Sequence, residues 1–235
     1  MSSTSSTGRV TAVRRRRRPT QSGEVLSEEL IVRTAMRLID QPEGAGFSVR
    51  ALGIALGADP TAIYRYFRGT DDLMAAITDR LIGDSLADFV PDEDWRVALR
   101  DFGVRFHSYA QRHPKLVVLG AARVSLRSNE FRAVDTGIGL LRRAGFGPRD
   151  AVRYYHAFVD MVLGHAALDA AGAAVNPDDG GESWTSAYTS LRAAEYPNIA
   201  ATRRHIHTMA GSAFETALDL FLDGVAGRAS AHSQP

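Results

Sequence analysis

The feature that most constrains this chain is a short break, Leu56-Gly57-Ala58-Asp59-Pro60, between two stretches that each carry one apolar face. Ser48 stands at an N-cap position ahead of Val49, Leu52, Ala55 and Leu56, which recur at helical spacing. Gly57 stops that helix, because glycine enters the left-handed conformation at little cost. Asp59 and Pro60 then restart the chain: a side-chain cap, followed by a proline whose missing N–H and fixed φ suit the first helical position. The second helix is expected from Pro60 to Phe67, with Ile63 and Phe67 inward. Two short helices across a tight glycine turn predict a helix-turn-helix over Ser48–Phe67. On geometry alone, a surface helix in an ordinary bundle has the same pattern.

The rest of the chain reads as helix too. Ser27, Glu28 and Glu29 open an earlier helix with Leu30, Ile31, Thr34, Ala35, Leu38 and Ile39 on one face, ended by Pro42, Gly44 and Gly46. Thr70 is expected to cap a fourth helix, with Asp71 and Asp72 in its first turn. Beyond Pro91 helices are expected at about 93–112, 114–122, 128–144, 149–171, 184–206 (broken near Pro197) and 208–226, with a loop from Gly172 to Ser183. No segment sustains strand alternation, so the predicted fold is all-α. The expected organisation is a disordered basic arm (1–23), an N-terminal three-helix helix-turn-helix domain (24–90), a larger C-terminal helical domain (91–228) and a disordered tail (229–235).

Charge is distributed unevenly. Arg9 to Arg18 holds six arginines and no acid, and Phe47 to Gly69 holds three arginines and one acid, Asp59. A basic end on a chain whose overall net charge is only +1 points to a nucleic-acid partner for that end. The expected recognition surface, Thr61, Ala62, Tyr64, Arg65, Tyr66 and Arg68, suits it: arginine contacts phosphate or guanine, tyrosine hydroxyls bond phosphate, and methyls meet thymine. Arg14, Arg15, Arg16, Arg17 and Arg18 either follow the phosphates and minor groove or form a solvated tail that raises only nonspecific affinity.

The run FSVRALGIALGADPTAIYRYFRGTDDLMAAI, Phe47 to Ile77, resembles the DNA-binding domain of TetR-family repressors. Leu56-Gly57, Ile63-Tyr64 and Phe67 fall at that family's pattern positions. The resemblance implies that Ser48 and Arg50 touch phosphate or a base edge, and that Pro60, Thr61 and Ala62 face the bases. It implies phosphate contacts from Tyr64 and Tyr66, and an outward Arg65. Where the family usually places a phosphate-binding lysine, this chain has Gly69 and Thr70, so Arg68 or the arm is expected to substitute. The stretch His113 to Gly172 is similar in layout to the regulatory domain of the tetracycline-repressor branch. Val118 stands where that branch has a magnesium-linked histidine, which argues against a metal–tetracycline ligand.

The resemblance therefore implies a repressor that binds double-stranded, palindromic operator DNA as a homodimer, paired through the helices near 149–171 and 208–226. Release would come from a small, largely apolar effector. Bulky side chains interrupted by Gly103, Ala110, Gly137 and Gly164 fit an enclosed pocket. Its expected lining is Phe102, Phe106, Tyr109, Leu116, Leu119, Ile138, Leu141, Phe158, Met161 and Val162, with His107 and His165 as polar contacts. A filled pocket would shift the 93–112 helix against the 70–83 helix. Two other readings stay open: a DNA-binding regulator without a ligand, and a small-molecule enzyme on a helical bundle.

Other chemistry is narrowed by composition. Cys is absent, which removes disulfides and thiolate catalysis and fits a cytoplasmic location. The histidines show no metal-ligand spacing, and Gly137-x-Gly139 lacks a preceding strand, so neither catalysis nor a cofactor is expected. No apolar run is long enough for a membrane span, and the N-terminus has no apolar signal region.

Overall fold

The computed structural model describes residues 24–41, 47–120, 124–175 and 182–232. The arginine arm, with Arg14 to Arg18, lies outside the described residues. Everything regular in the described residues is helical. The helices are α1 (Glu28–Asp40), α2 (Val49–Leu56), α3 (Pro60–Ile63), α4 (Thr70–Ser85), α5 (Trp95–Arg112) and α6 (Pro114–Gly120). They continue with α7 (Ser128–Arg143), α8 (Pro148–Val175), α9 (Glu182–Thr189), α10 (Pro197–Thr202), a 3-10 helix (Arg203–Ala210) and α11 (Phe214–His232).

Local chemistry accounts for the first three helices. Ser27 and Ser48 accept the backbone N–H of Leu30 and Ala51 at 3.2 and 3.1 Å. Gly57 takes φ 59° and closes α2, and Asp59 caps α3 through Thr61 N at 2.8 Å. The recognition helix proper is shorter than the expected Pro60–Phe67, because the chain passes into turns after Ile63. α4 departs from the expected cap: Gly69 is the cap residue and Thr70 the first helical one. Asp72 does the capping instead, reaching back to accept Arg68 N at 2.9 Å.

The C-terminal half differs in its boundaries. The expected 184–206 helix is divided into α9, α10 and the 3-10 helix, since Pro197 cannot continue a helix and holds Tyr196 out of helical geometry. The last helix begins at Phe214 rather than near 208, where Ser212 Oγ accepts Phe214 N at 3.2 Å. It runs to His232, past the expected tail boundary.

Two apolar cores result. One joins α1, α2, α3 and α4 through Leu30, Ile31, Leu52, Ile63, Phe67, Leu73 and Ile77, and it also takes in Ala110, Leu116, Val117 and Ala166. The other joins α5, α7, α8 and α11 around Leu99, Phe102, Leu140, Phe158, Phe214 and Leu218. Gly137 allows α7 to approach α8 closely: a Cβ there would lie 2.2 Å from Tyr155 Cε2. Arg96 pairs with Asp223, and Arg100 with Glu215 and Asp219, tying α5 to α11 along their exposed edge.

Candidate DNA interface, effector cavity and the joint between them

The helix-turn-helix and the turn that follows it expose cationic and hydroxyl-bearing side chains. Arg50, Thr61, Tyr64, Arg65, Arg68 and Thr70 are exposed, and Pro60 and Ala62 lie half-buried at the rim. Among the described residues, the guanidinium groups of Arg50, Arg65 and Arg68 enter no ion pair, whereas those of Arg80, Arg96, Arg100, Arg105 and Arg127 all do. Three exposed, unpaired cations within this segment are the residue type that attracts phosphate. Asp59 is the one acid between Phe47 and Gly69. The Thr61 hydroxyl and N–H both donate to it, which holds its carboxyl below the ordinary value. Ser48 is exposed as well; its oxygen accepts Ala51 N, leaving its proton available to an outside acceptor.

Tyr66 departs from its expected place. Its hydroxyl donates to the Leu26 carbonyl at 2.5 Å, and its ring packs on the N-terminal core. The hydroxyl proton expected for a phosphate is thus spent inside the protein, and Tyr64, 50% exposed, stands alone as the outward tyrosine of this helix. Ala55, expected inward, is exposed beside Ile54, which is 73% exposed. The i, i+4 pair Leu52 and Leu56 is buried there instead.

A cavity of about 560 Å3 lies between α4, α5, α6, α7 and α8. Five of the expected lining residues face it: Phe102, Phe106, Ile138, Phe158 and Val162. Thr78, Leu81 and Ile82 of α4 and Tyr155 of α8 line it as well, and sequence reasoning did not place them there.

The other expected residues are used elsewhere. Leu141 is fully buried within the C-terminal core, and Met161 packs half-buried against it. Leu116 belongs to the core of the DNA-binding end, and Leu119 is 43% exposed. Tyr109 donates to Asp84 at 3.3 Å and packs on His113; burial and that carboxylate raise its pKa to about 12. His107 Nε2 sits 2.7 Å from Asp169 Oδ2 with its ring stacked on Phe214. His165 Nδ1 bonds the Met161 carbonyl at 2.8 Å. Of the expected gaps, Gly137 receives the Tyr155 ring and Gly103 the Phe158 ring, while Gly164 faces open space.

Ser212 Oγ also donates to Asp169 Oδ2 at 2.5 Å, so serine, aspartate and histidine are brought together. The aspartate stands between the other two. A nucleophilic serine needs the imidazole beside it as base, and that order is absent. This cluster fastens α5, α8 and the start of α11.

Between cavity and DNA face runs a polar joint that no local pattern announced. Asp79, buried on α4, accepts the N–H groups of Asn129 and Glu130 at 3.0 and 2.9 Å, with Asn129 Nδ2 on its second oxygen at 3.0 Å. α7 has no side-chain cap of its own at Arg127, so α4 supplies it. Glu130 in turn accepts Ser125 N, Ser125 Oγ and Leu126 N at 2.6, 2.5 and 2.9 Å. Arg127 bridges Glu28 of α1 and Asp72 of α4, each at 2.7 Å. The Asp72 carboxyl is lowered by the Arg68 N–H and then by Arg127. α4 therefore packs on α6 and α7 as well as on α5.

Residues 90–229 match the family model described as tetracyclin repressor-like, C-terminal domain. The chain belongs to the TetR family of transcriptional regulators. It is similar to an HTH-type transcriptional repressor of Mycobacterium tuberculosis, 31% identical over 160 residues, 66% of this chain and 61% of that protein. It thus spans about three fifths of that TetR relative's length. The class A tetracycline repressor from transposon 1721, in Escherichia coli, is 24% identical over 209 residues, covering 86% of this chain and 92% of that one. Apo ActR from Streptomyces coelicolor shares the TetR fold, with TM-score 0.77 at 20% identity over 88% of this chain and 98% of that one.

Proposed function

We propose that this TetR-family protein is a transcriptional repressor. It binds a pseudo-palindromic operator as a homodimer and releases it when a small, largely apolar effector fills the cavity. The observation that carries the DNA reading is the set of unpaired cations, Arg50, Arg65 and Arg68, around exposed Thr61 and Tyr64 on a capped helix-turn-helix. Phosphates would be held by the arginines, Tyr64 and Ser48, and base edges met by Thr61 and Ala62.

The dimer reading rests on exposed apolar and small residues on α8 and α11. Leu168 and Leu220 are 71% and 68% exposed, amid Ala157, Gly164, Ala213 and Gly227. Two large apolar side chains among small ones suit close isologous packing of paired helices. A twofold axis would set two recognition helices about 34 Å apart, one turn of DNA.

The effector acts through differential affinity for two arrangements. Filling the cavity presses on α4 at Thr78, Leu81 and Ile82. The N-terminus of α4 is tied to the helix-turn-helix by the Asp72–Arg68 bond and by Phe67 in the shared core. A tilt of α4 thereby changes the spacing of the recognition helices. The protein is expected to work in the cytoplasm, without catalysis; no described helix is long and apolar enough to cross a membrane. Selection of operator fragments from genomic DNA, followed by footprinting, tests the reading. A palindromic footprint with 2:1 protein-to-site stoichiometry is expected, and protection of a lone half-site by a monomer would overturn it.

A further inference from the structure

Of the side-chain nitrogens and oxygens fully closed off from solvent among the described residues, Thr78 Oγ1 is the one without a hydrogen-bond partner. Thr78 is 7% exposed and lines the cavity from α4. A threonine on a helix normally resolves this by bonding a carbonyl one turn back, as Ser85 on the same helix does with Ile82 at 2.8 Å. Thr78 does not. Its oxygen faces Gly120, another lining residue, where a Cβ would come within 3.1 Å. Burying a hydroxyl unpaired is costly, and proteins retain such groups where an outside partner completes them.

The remaining polar lining limits that partner. Among the described lining residues the ionisable ones are Glu130, Tyr155, His156 and Asp160, with no lysine or arginine. The Tyr155 hydroxyl also has no hydrogen-bond partner among the described residues. Burial, and secondarily the charge of Glu130, keep that hydroxyl protonated and able to donate. The cavity thus offers hydroxyl donors beside a carboxylate, between the rings of Phe102, Phe106 and Phe158. An anion would enter beside the carboxylates of Glu130 and Asp160, whose repulsion adds to its desolvation cost.

We propose that the cavity takes an uncharged, largely aromatic molecule bearing a carbonyl-type acceptor, and that the Thr78 hydroxyl donates to this acceptor. The proposal rests on the reading of the cavity as the effector site. It places this contact on α4, which follows the helix-turn-helix, next to Asp79, the cap of α7. Effector chemistry and operator release then meet within two consecutive residues.

A matched set of tricyclic probes tests it: fluorene, 9-fluorenone and 9-fluorenone-2-carboxylate, titrated against full-length protein by competition with the neutral fluorophore 1-aminoanthracene. Fluorenone is expected to bind about tenfold more tightly than fluorene, since the hydrocarbon leaves the hydroxyl buried and unpaired. The carboxylate is expected to bind more weakly than either. Thr78→Val keeps the shape, removes the unpaired group, melts no lower than wild type, and erases the ketone preference; Thr78→Ser restores it. Equal binding of fluorene and fluorenone by the wild-type protein, a ketone preference that survives in Thr78→Val, or tight binding of the carboxylate would each overturn the proposal. Those results leave the cavity reading standing. Failure of all four compounds to bind overturns the cavity reading and this inference with it. The wild-type comparison decides even if a variant does not fold.

Discussion

Asp79 on α4 caps the N-terminus of α7 by accepting the backbone N–H of Asn129 at 3.0 Å. The two residues are fifty positions apart, and the contact makes the start of α7 depend on a carboxylate from α4, the helix that follows the helix-turn-helix. Asp79→Ala would orphan two helix N–H groups and remove one of the two acceptors of the Asn129 amide, which keeps the Asp79 carbonyl at 3.2 Å. A loss of about 1–3 kcal/mol is expected in denaturant unfolding, with Asp79→Asn milder because it keeps one acceptor. If α4–α7 coupling carries the signal, Asp79→Asn also weakens the effector's ability to release DNA more than it weakens DNA binding itself. A variant that keeps the full linkage between effector and operator places the coupling elsewhere.

The two tyrosines of the recognition segment separate cleanly by measurement. Tyr64→Phe should weaken every operator sequence alike, by about 1 kcal/mol, with stability unchanged. Tyr66→Phe should do the opposite: it loses the bond to Leu26 and about 1 kcal/mol of folding stability, while operator affinity stays near wild type. Gel-shift titrations and chemical denaturation of both variants decide, and swapped effects would reverse the assignment.

Gly137→Ala puts a methyl where the Tyr155 ring lies, 2.2 Å from Cε2. Overpacking of this kind costs about 1–3 kcal/mol. The relief available to the ring is to turn into the cavity that Tyr155 lines. Lower stability together with weaker 1-aminoanthracene binding is expected; unaltered dye affinity would show that the ring moves another way.

Leu168→Glu on α8 and Leu220→Glu on α11 place a charge on apolar positions exposed in one chain. Neither touches the core, so each variant should fold, sediment as a monomer and lose most operator affinity. A dimer persisting in both would remove this face from the assembly.

Acid sensitivity follows from Asp72. Its carboxyl lies below the ordinary 3.8 because Arg68 N–H and Arg127 favour the charged form. A depressed folded-state pKa contributes stability above the unfolded value, lost as pH falls through the folded one. Stability should therefore decline below about pH 4, and Asp72→Asn should be less stable at neutral pH with a shallower acid limb. Thermal melts from pH 7 to pH 2.5 read both slopes.

Local signals were legible. Ser27, Ser48, Asp59 and Gly57 announce the helix-turn-helix because caps act within three residues. The inward positions Phe102, Phe158 and Val162 followed from helical period, and they do reach the cavity. What failed was long-range. Nothing near Tyr66 signals that a carbonyl forty positions back will take its hydroxyl. Nothing near Arg127 says that its helix is capped from α4. Period marked Leu141 and Leu116 as apolar and inward, but it cannot distinguish a residue that meets a cavity from one that meets another side chain. The same limit hid Thr78, whose significance is an absent partner.

The core of the DNA-binding end includes Leu116 and Val117 from α6 and Ala166 from α8. A fragment cut near residue 90 would lose those side chains and leave α1 and α4 wet along one flank. The DNA-reading end is consequently not an interchangeable module. A chimera that grafts it onto another family member's effector domain must bring α6 across the seam or rebuild its contacts, and shuffling is expected to succeed at boundaries after Gly120 more often than at the visually obvious junction before α5.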